Sequence, residues 1–327
     1  MAGSAHRSVP DRKSLQFGVS LIIAVLVSFC AADTIDAQEL YKYRGENGEW
    51  IYSDRPPDDG QTVEVRGLNR GSTDAVVDVT HSFVGTSVEL TARNDFYAPV
   101  EMRLEISDIR GLAYPDPDQE LVWVLPPRSS TDLFQLDSLE NQTSPFLEYG
   151  FRYLPGDPSA RHRAPGPYRV PFAISNNYPV TQAYPEVVTH TGPESYYAVD
   201  MAMPIGTDIF AARAGIVFDV ARNNFRVGLD VEIDGPAANV VRILHDDGTY
   251  AIYAHLNTNT IRVRHGDKVE RGEYIADSGN TGYSSGPHLH FAVVRNVGLR
   301  VESVPVTFFG ANSDSVIPAA GMILTAY

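Results

Sequence analysis

GNTGYSSGPHLHF, running from Gly279 to Phe291, holds two histidines, His288 and His290, two positions apart in a run that reads as a β-strand. Side chains alternate faces along a strand, so both imidazoles point the same way, about 6–7 Å apart. One imidazole can then bind a metal while the other reaches the metal's open coordination position. This is the smallest arrangement that metal-assisted hydrolysis by zinc requires, and it directs the search for the remaining groups.

Two upstream runs supply them. YAVDMAMPIGT (197–207) offers Asp200 in a short apolar run, and TYAIYAHL (249–256) offers His255, which its alternation places on a strand. A catalytic zinc takes three protein ligands and keeps one position for water. The dication stabilises hydroxide, so that water loses its proton near neutral pH. A neutral histidine nearby can orient the water or move its proton.

The stretch from about Pro171 to Arg295 resembles the lysostaphin or LytM-type zinc metalloendopeptidases, which cut peptide cross-links of bacterial cell walls. Four pieces carry the likeness, in this order: VDMAMPIGTDIFAARAGIV, YAHL, GDKVERGEYIADSGNTG and SSGPHLHF. The resemblance implies a compact antiparallel β fold with a groove, Zn2+ as cofactor and peptidoglycan peptide as substrate. It implies Asp200 and His290 as zinc ligands, and His255 and His288 as the catalytic histidines that handle the water and the tetrahedral intermediate.

The chain departs from that pattern in places. The family usually has histidine four residues before the aspartate, with glycine between; here Tyr196 and Ala198 stand there. Three readings follow. His190, in VVTHTGPESYYAVD, folds back and supplies the third nitrogen. Tyr196, on the same strand face as Asp200, ligates weakly or orients a water. Or metal binding is lost, and the domain binds cell wall or activates another wall hydrolase. We prefer His190, because HTG followed by ESYY makes a turn long enough to return. Buried imidazoles and a carboxylate left without a metal would cost several kcal/mol unless otherwise paired. Ala292, where the family often has glutamate after HLHF, reads as a lost supporting group behind the ligands.

The rest of the chain frames this domain. A net charge of −15, from 41 acidic and 26 basic residues, argues against nucleic-acid binding. Residues 1–37 read as a signal peptide, with a basic start, the apolar run LQFGVSLIIAVLVSFCAA and small residues at its end. This implies a periplasmic or secreted protein of the cell envelope. The only cysteine, Cys30, lies in that run, so the mature chain relies on no disulfide. Residues 38–60 read as a β-hairpin turning at Asn47-Gly48 and resemble a small domain of unknown function at the start of many envelope proteins. Its aromatics read as a small core, with an envelope protein partner as the other reading.

Residues 61–75 read as a linker, and 76–172 as an immunoglobulin-like β-sandwich of about seven strands. In VEMRLEI, Val100, Met102, Leu104 and Ile106 take one face, and Glu101, Arg103 and Glu105 the other. Residues 173–310 make the LytM-type peptidase domain and 311–327 a tail. The fold class is therefore mainly β and antiparallel, with no helix of convincing length after the signal region. His81, His162 and His245 read as solvated histidines, Arg213 as a surface or turn contact, and Gly206, Gly215, Gly279 and Gly282 as turn residues needing positive φ.

Overall fold

The computed structural model describes residues 3–7, 39–44, 50–53, 64–67, 75–114, 116, 119–139 and 145–327, the first four segments by backbone alone. Gly3–Arg7 (β1) is a strand. Within residues 8–74, which form a unit of their own, Glu39–Arg44 (β2) pairs antiparallel with Trp50–Ser53 (β3), Arg44 opposite Trp50. Glu64–Gly67 (β4) adds to the other edge of β2. The segment read as a linker thus contributes a third strand, which a hairpin needs to be more than marginally stable in water. The apolar run with Cys30 and the Asn47-Gly48 turn lie outside the described residues.

The following six strands are Val77–Val84 (β5), Ser87–Asn94 (β6), Val100–Arg110 (β7), Val122–Leu125 (β8), Ser129–Asp137 (β9) and Phe146–Pro155 (β10). They form two antiparallel sheets, ordered β5–β6–β9 and β10–β7–β8, with β1 on the free edge of β10. The first, second and fifth strands thus share one sheet, and the third, fourth and sixth the other. This is an immunoglobulin-type partition with the fourth strand paired to the third. Val100, Met102 and Leu104 are buried, as the alternation of VEMRLEI requires, and Ile106 is half-buried against the same core. Glu101 breaks the pattern: it is only 6% exposed, because its Oε2 accepts a 2.7 Å hydrogen bond from the Leu299 amide. The sandwich is covered there by the later part of the chain.

Residues 75–327 belong to one compact unit. Its second half contains Asn177–Gln182 (β11), Val199–Ala202 (β12), Asp208–Phe210 (β13), Gly215–Ala221 (β14), Val227–Gly228 (β15), the single helical turn Val231–Asp234 (α1), Val240–Leu244 (β16) and Tyr250–Ala254 (β17). Lys268–Val269 (β18), Tyr274–Asp277 (β19), Gly282–Tyr283 (β20), His288–Asn296 (β21), Val301–Ser303 (β22), Phe308–Phe309 (β23), Ser315–Val316 (β24) and Ile323–Thr325 (β25) complete it. Nine strands make one sheet, β18–β14–β16–β17–β21–β12–β11–β25, with β22 also on β21. The tail contributes β25, which closes the sheet along β11.

The two faces of this sheet differ. Val199, Met201, Leu289, Phe291, Val293 and Tyr253 point into a continuous apolar core, where each large side chain contributes roughly 1.5–3 kcal/mol by leaving water. On the other face, Ala198, Phe218, Tyr250, Ala292 and Val294 join the core of the sandwich. Ala292 therefore faces apolar side chains and not the ligand cluster, and a glutamate there would be buried among them. Glycine is used in two ways. Gly206 and Gly282 have φ near +87° and +86°. Gly215 and Gly279 instead allow close approach: an added Cβ would lie 2.2 Å from the Leu244 carbonyl oxygen or 2.5 Å from the Asn257 nitrogen.

Candidate metal centre and groove

The site lies on the open part of the sheet face that carries the sandwich. His290 sits opposite Asp200 across β21 and β12, and His288 opposite Ala202. The HLH alternation is realised: Leu289 is buried in the core while both histidines stay half-open on the groove. His290 Nδ1 lies 2.9 Å from Asp200 Oδ1, and His190 Nε2 lies 3.1 Å from Asp200 Oδ2. One donor atom each from His190, Asp200 and His290 fall within 4.8 Å of one another. Burial pushes the Asp200 pKa up, but hydrogen bonds with His190 and His290 overcome this and hold the carboxyl well below the ordinary carboxylate range.

His190 reaches the cluster from the segment between β11 and β12. Tyr196 does not. The turn at 193–197 precedes β12, and Tyr196 is an exposed side chain packed against Tyr184 and Tyr197. The shared strand face assumed for Tyr196 and Asp200 does not exist, because the strand starts only at Val199.

His255 also departs from the reading as a strand residue. β17 ends at Ala254, and His255 takes a left-handed conformation at φ +61°. Its Nδ1–H donates to the Thr281 carbonyl at 2.7 Å. His288 Nδ1–H donates likewise to the Gly286 carbonyl at 2.8 Å. Each bond sets the tautomer, leaving Nε2 as the free lone pair of that ring. His288 Nε2 stands 3.7 Å from Asp200 Oδ2, and the His255 and His288 rings are 4.5 Å apart. Burial, reinforced by His288 and His290, pushes the His255 pKa down to about 3, so it is neutral at pH 7.

Gln182 was not legible in the sequence. It stands opposite Asp200 between β11 and β12, and its amide donates to Asp200 Oδ2 at 2.7 Å. Its Oε1 accepts from the Val188 and Thr189 amides at 2.8 and 2.9 Å. One side chain thus fixes the carboxylate and the loop carrying His190. Register is the signal that would have revealed it, and a single sequence does not give register. Thr281 and Ser284 build the loop before β21: Thr281 Oγ1 donates to the Leu256 carbonyl and Ser284 Oγ to Asn280 Oδ1.

His81, His162 and His245 stand apart from this centre. His81 contacts Tyr149 and Phe83, and His162 Nε2 lies 3.1 Å from the Tyr168 hydroxyl. His245 is buried, 3% exposed, not solvated; its Nδ1 is 2.9 Å from the Ala214 carbonyl. Arg213 is buried as well, paired with Asp246 and Asp247. Burial, with Arg213 nearby, pushes the His245 pKa from 6.5 down to about 4. The unfolded chain takes up this proton near pH 6.5 and the folded one only near 4. Stability is therefore lost as pH falls through that window, by roughly 3 kcal/mol. His255 contributes in the same window, so the comparison must isolate His245. Thermal melts between pH 7 and 4 should show a shallower decline for His245→Asn than for the parent protein, and parallel curves would contradict this.

The groove over the cluster has a volume of about 680 Å³. Its floor includes Ala254, Val240 and Ile252, and Ser284, Ser285 and Pro287 stand on one side. An antiparallel sheet presenting a His–Asp–His cluster beside two tautomer-fixed histidines in an open groove defines a class of metal-assisted hydrolase sites. Residues 194–302 match the model of Peptidase family M23, and residues 26–76 that of a domain of unknown function, DUF4124. The chain thus carries a peptidase family M23 domain of the LytM and lysostaphin type.

Similar curated proteins include the Peptidoglycan DD-endopeptidase ShyA of Vibrio cholerae serotype O1, 34% identical over 46% of this chain and 29% of the relative. The Glycyl-glycine endopeptidase ALE-1 of Staphylococcus capitis is 31% identical over 43% of this chain and 37% of the relative. Among solved structures, the catalytic domain of the prophage-encoded M23 protein EnpA from Enterococcus faecalis is 26% identical, covering 44% of this chain and 92% of that one, with a TM-score of 0.30. The matched part of the chain spans less than two-fifths of the length of these curated relatives. His190 lies just upstream of the segment that matches the family model.

Proposed function

We propose that the protein is a zinc-dependent endopeptidase that hydrolyses peptide cross-links of bacterial peptidoglycan in the periplasm or outside the cell, after removal of its signal peptide. The observation that carries this reading is the grouping of one donor atom each from His190, Asp200 and His290 within 4.8 Å of one another, beside His255 and His288. Two imidazoles and one carboxylate, with no thiolate, form a donor set that suits zinc with an open position. A zinc ion held by these three would polarise the scissile carbonyl and bring the pKa of a bound water near neutrality.

The chain's own residues do the remaining work. Gln182 holds Asp200 and the His190 loop in place. The peptide lies along the groove floor with its scissile carbonyl at the cluster. Nε2 of His255 or His288 takes a proton from the attacking water, because the carbonyl bonds at Nδ1 fix that nitrogen as the acceptor. The imidazolium so formed carries its new proton at Nε2 and donates a hydrogen bond from there to the developing oxyanion, which stabilises the charged state more than the bound substrate. The carbonyl carbon gains the water's hydroxyl, the C–N bond breaks, and a histidine gives the proton to the leaving amine.

The mature protein should purify with close to one zinc per chain and should clear a suspension of isolated peptidoglycan sacculi. A chelator should stop clearing, and added zinc should restore it. Protein that stays inert with added zinc yet stimulates another wall hydrolase would replace this reading with that of a non-catalytic activator.

A further inference from the structure

The groove floor is ordered in rows set by strand register. His290, Ala254 and Val240 form one row across β21, β17 and β16. Ala292, Ile252, Arg242 and Asp219 form the next, and Val294, Tyr250 and Leu244 a third. Tyr250 and Val294 of the third row are buried in the core shared with the sandwich, and Leu244 packs against it. The groove is therefore open over the first row and over Ile252 and Arg242 of the second, and closed at its far end by the sandwich.

Arg242 stands at that boundary. Among the described residues that line the groove it is the one lysine or arginine. Asp219, its ion-pair partner on the neighbouring strand, does not line the groove. The pair engages Nη1, whereas a guanidinium has five N–H donors in a planar fork. Asp219 thus anchors the arginine from behind. Between Arg242 and the histidines, Ala238, Val240, Ala254 and Ile252 make an apolar floor. Val188, 80% exposed, and Leu229 and Val231, 70% and 66% exposed, form apolar lips.

We propose that Arg242 is the carboxylate anchor of this groove, holding the C-terminal carboxylate of a peptide whose scissile amide lies at the histidine cluster and whose small apolar side chains cover the floor between. This rests on the hydrolytic reading above and adds to it the class of substrate: a peptide that ends shortly after the scissile bond. Two strand spacings of about 4.8 Å and two residues of about 3.3 Å separate Arg242 from His290, a distance of about 12 Å between their backbones. The arginine side chain spans part of this, leaving room for about two or three extended residues. The C-terminal end fits because the sandwich covers the next row, so the segment on the amine side of the scissile bond stops there. With a net charge of −15 the protein repels anions at long range, so Arg242 acts by contact rather than by steering. A guanidinium–carboxylate pair also resists replacement by a neutral group.

The test uses the zinc-loaded full chain and one synthetic alanine-containing cross-link peptide, made as the free acid and as the C-terminal amide. The parent protein should cleave the acid with kcat/KM about tenfold or more above the amide, mostly through KM. Arg242→Gln should bring that ratio to about one, and Arg242→Lys should keep part of it; melting curves check that both variants fold. A parent protein that treats acid and amide alike would overturn the proposal while leaving the hydrolytic reading intact. Cleavage of neither peptide would count against the hydrolytic reading. Titration calorimetry of the two peptides would then still decide the anchor, because equal affinities overturn it and tighter binding of the acid, lost in Arg242→Gln, supports it.

Discussion

His288→Ala is expected to abolish wall clearing while leaving the metal in place, with turnover reduced by about 10²–10⁴-fold. The separation of these effects follows from geometry. His288 is not one of the three residues whose donor atoms converge within 4.8 Å. Its Nε2 is 3.7 Å from Asp200 Oδ2, too far for a hydrogen bond in the cluster but within reach of a water bound beside it. Its Nδ1–H is committed to the Gly286 carbonyl, so the ring is held as a base rather than free to rotate. Removing it deletes a proton carrier without removing a ligand. His255→Ala should behave similarly, although the Thr281 carbonyl then loses its partner and some stability goes with it. Zinc content by emission spectroscopy, melting temperature and clearing rate, taken on the same preparation, check this. Loss of zinc in His288→Ala would make it a ligand and reverse the assignment of roles.

The pair His288 and His290 was legible because a two-residue spacing on a strand fixes relative direction whatever surrounds it. Asp200 and His255 were legible as residues, but only Asp200 with the right backbone. The alternation in TYAIYAHL runs one residue past the strand, and a left-handed turn at His255 brings its ring to the Thr281 carbonyl. No periodicity predicts such a turn at a histidine. Strand patterns were legible on both sides of residue 172, yet the core they share was not. That core also accounts for one departure from the family pattern. Ala292, where the family often has glutamate, lies beneath the sandwich. A small side chain there lets the sandwich approach the sheet. His245 was misread for a similar reason: HDDG looks like an exposed turn, but the segment packs against Tyr168 and Ala214.

His190→Ala is expected to weaken zinc binding by roughly 10²-fold, whereas Tyr196→Phe should leave it unchanged. A structural zinc site is worth about 10–16 kcal/mol. Divided among four donors, one ligand amounts to ~3 kcal/mol, which is about two powers of ten in affinity. Tyr196 contributes nothing on this account, since its ring lies in the aromatic group with Tyr184 and Tyr197, outside the groove lining. Gln182→Ala belongs between the two, with a loss of about 10–100-fold. It removes a hydrogen bond to Asp200 and unties the Val188–Thr189 backbone, so His190 must then be ordered when the metal binds. Competition against a chelating dye measures all three affinities without reference to activity. A parent-like affinity for His190→Ala, or a hundredfold loss for Tyr196→Phe, would mean that the chain completes its metal site from the turn before β12 and not from the loop that Gln182 holds. The order His190, Gln182, Tyr196 in decreasing effect is what separates a third ligand from a neighbour that only helps to pack it.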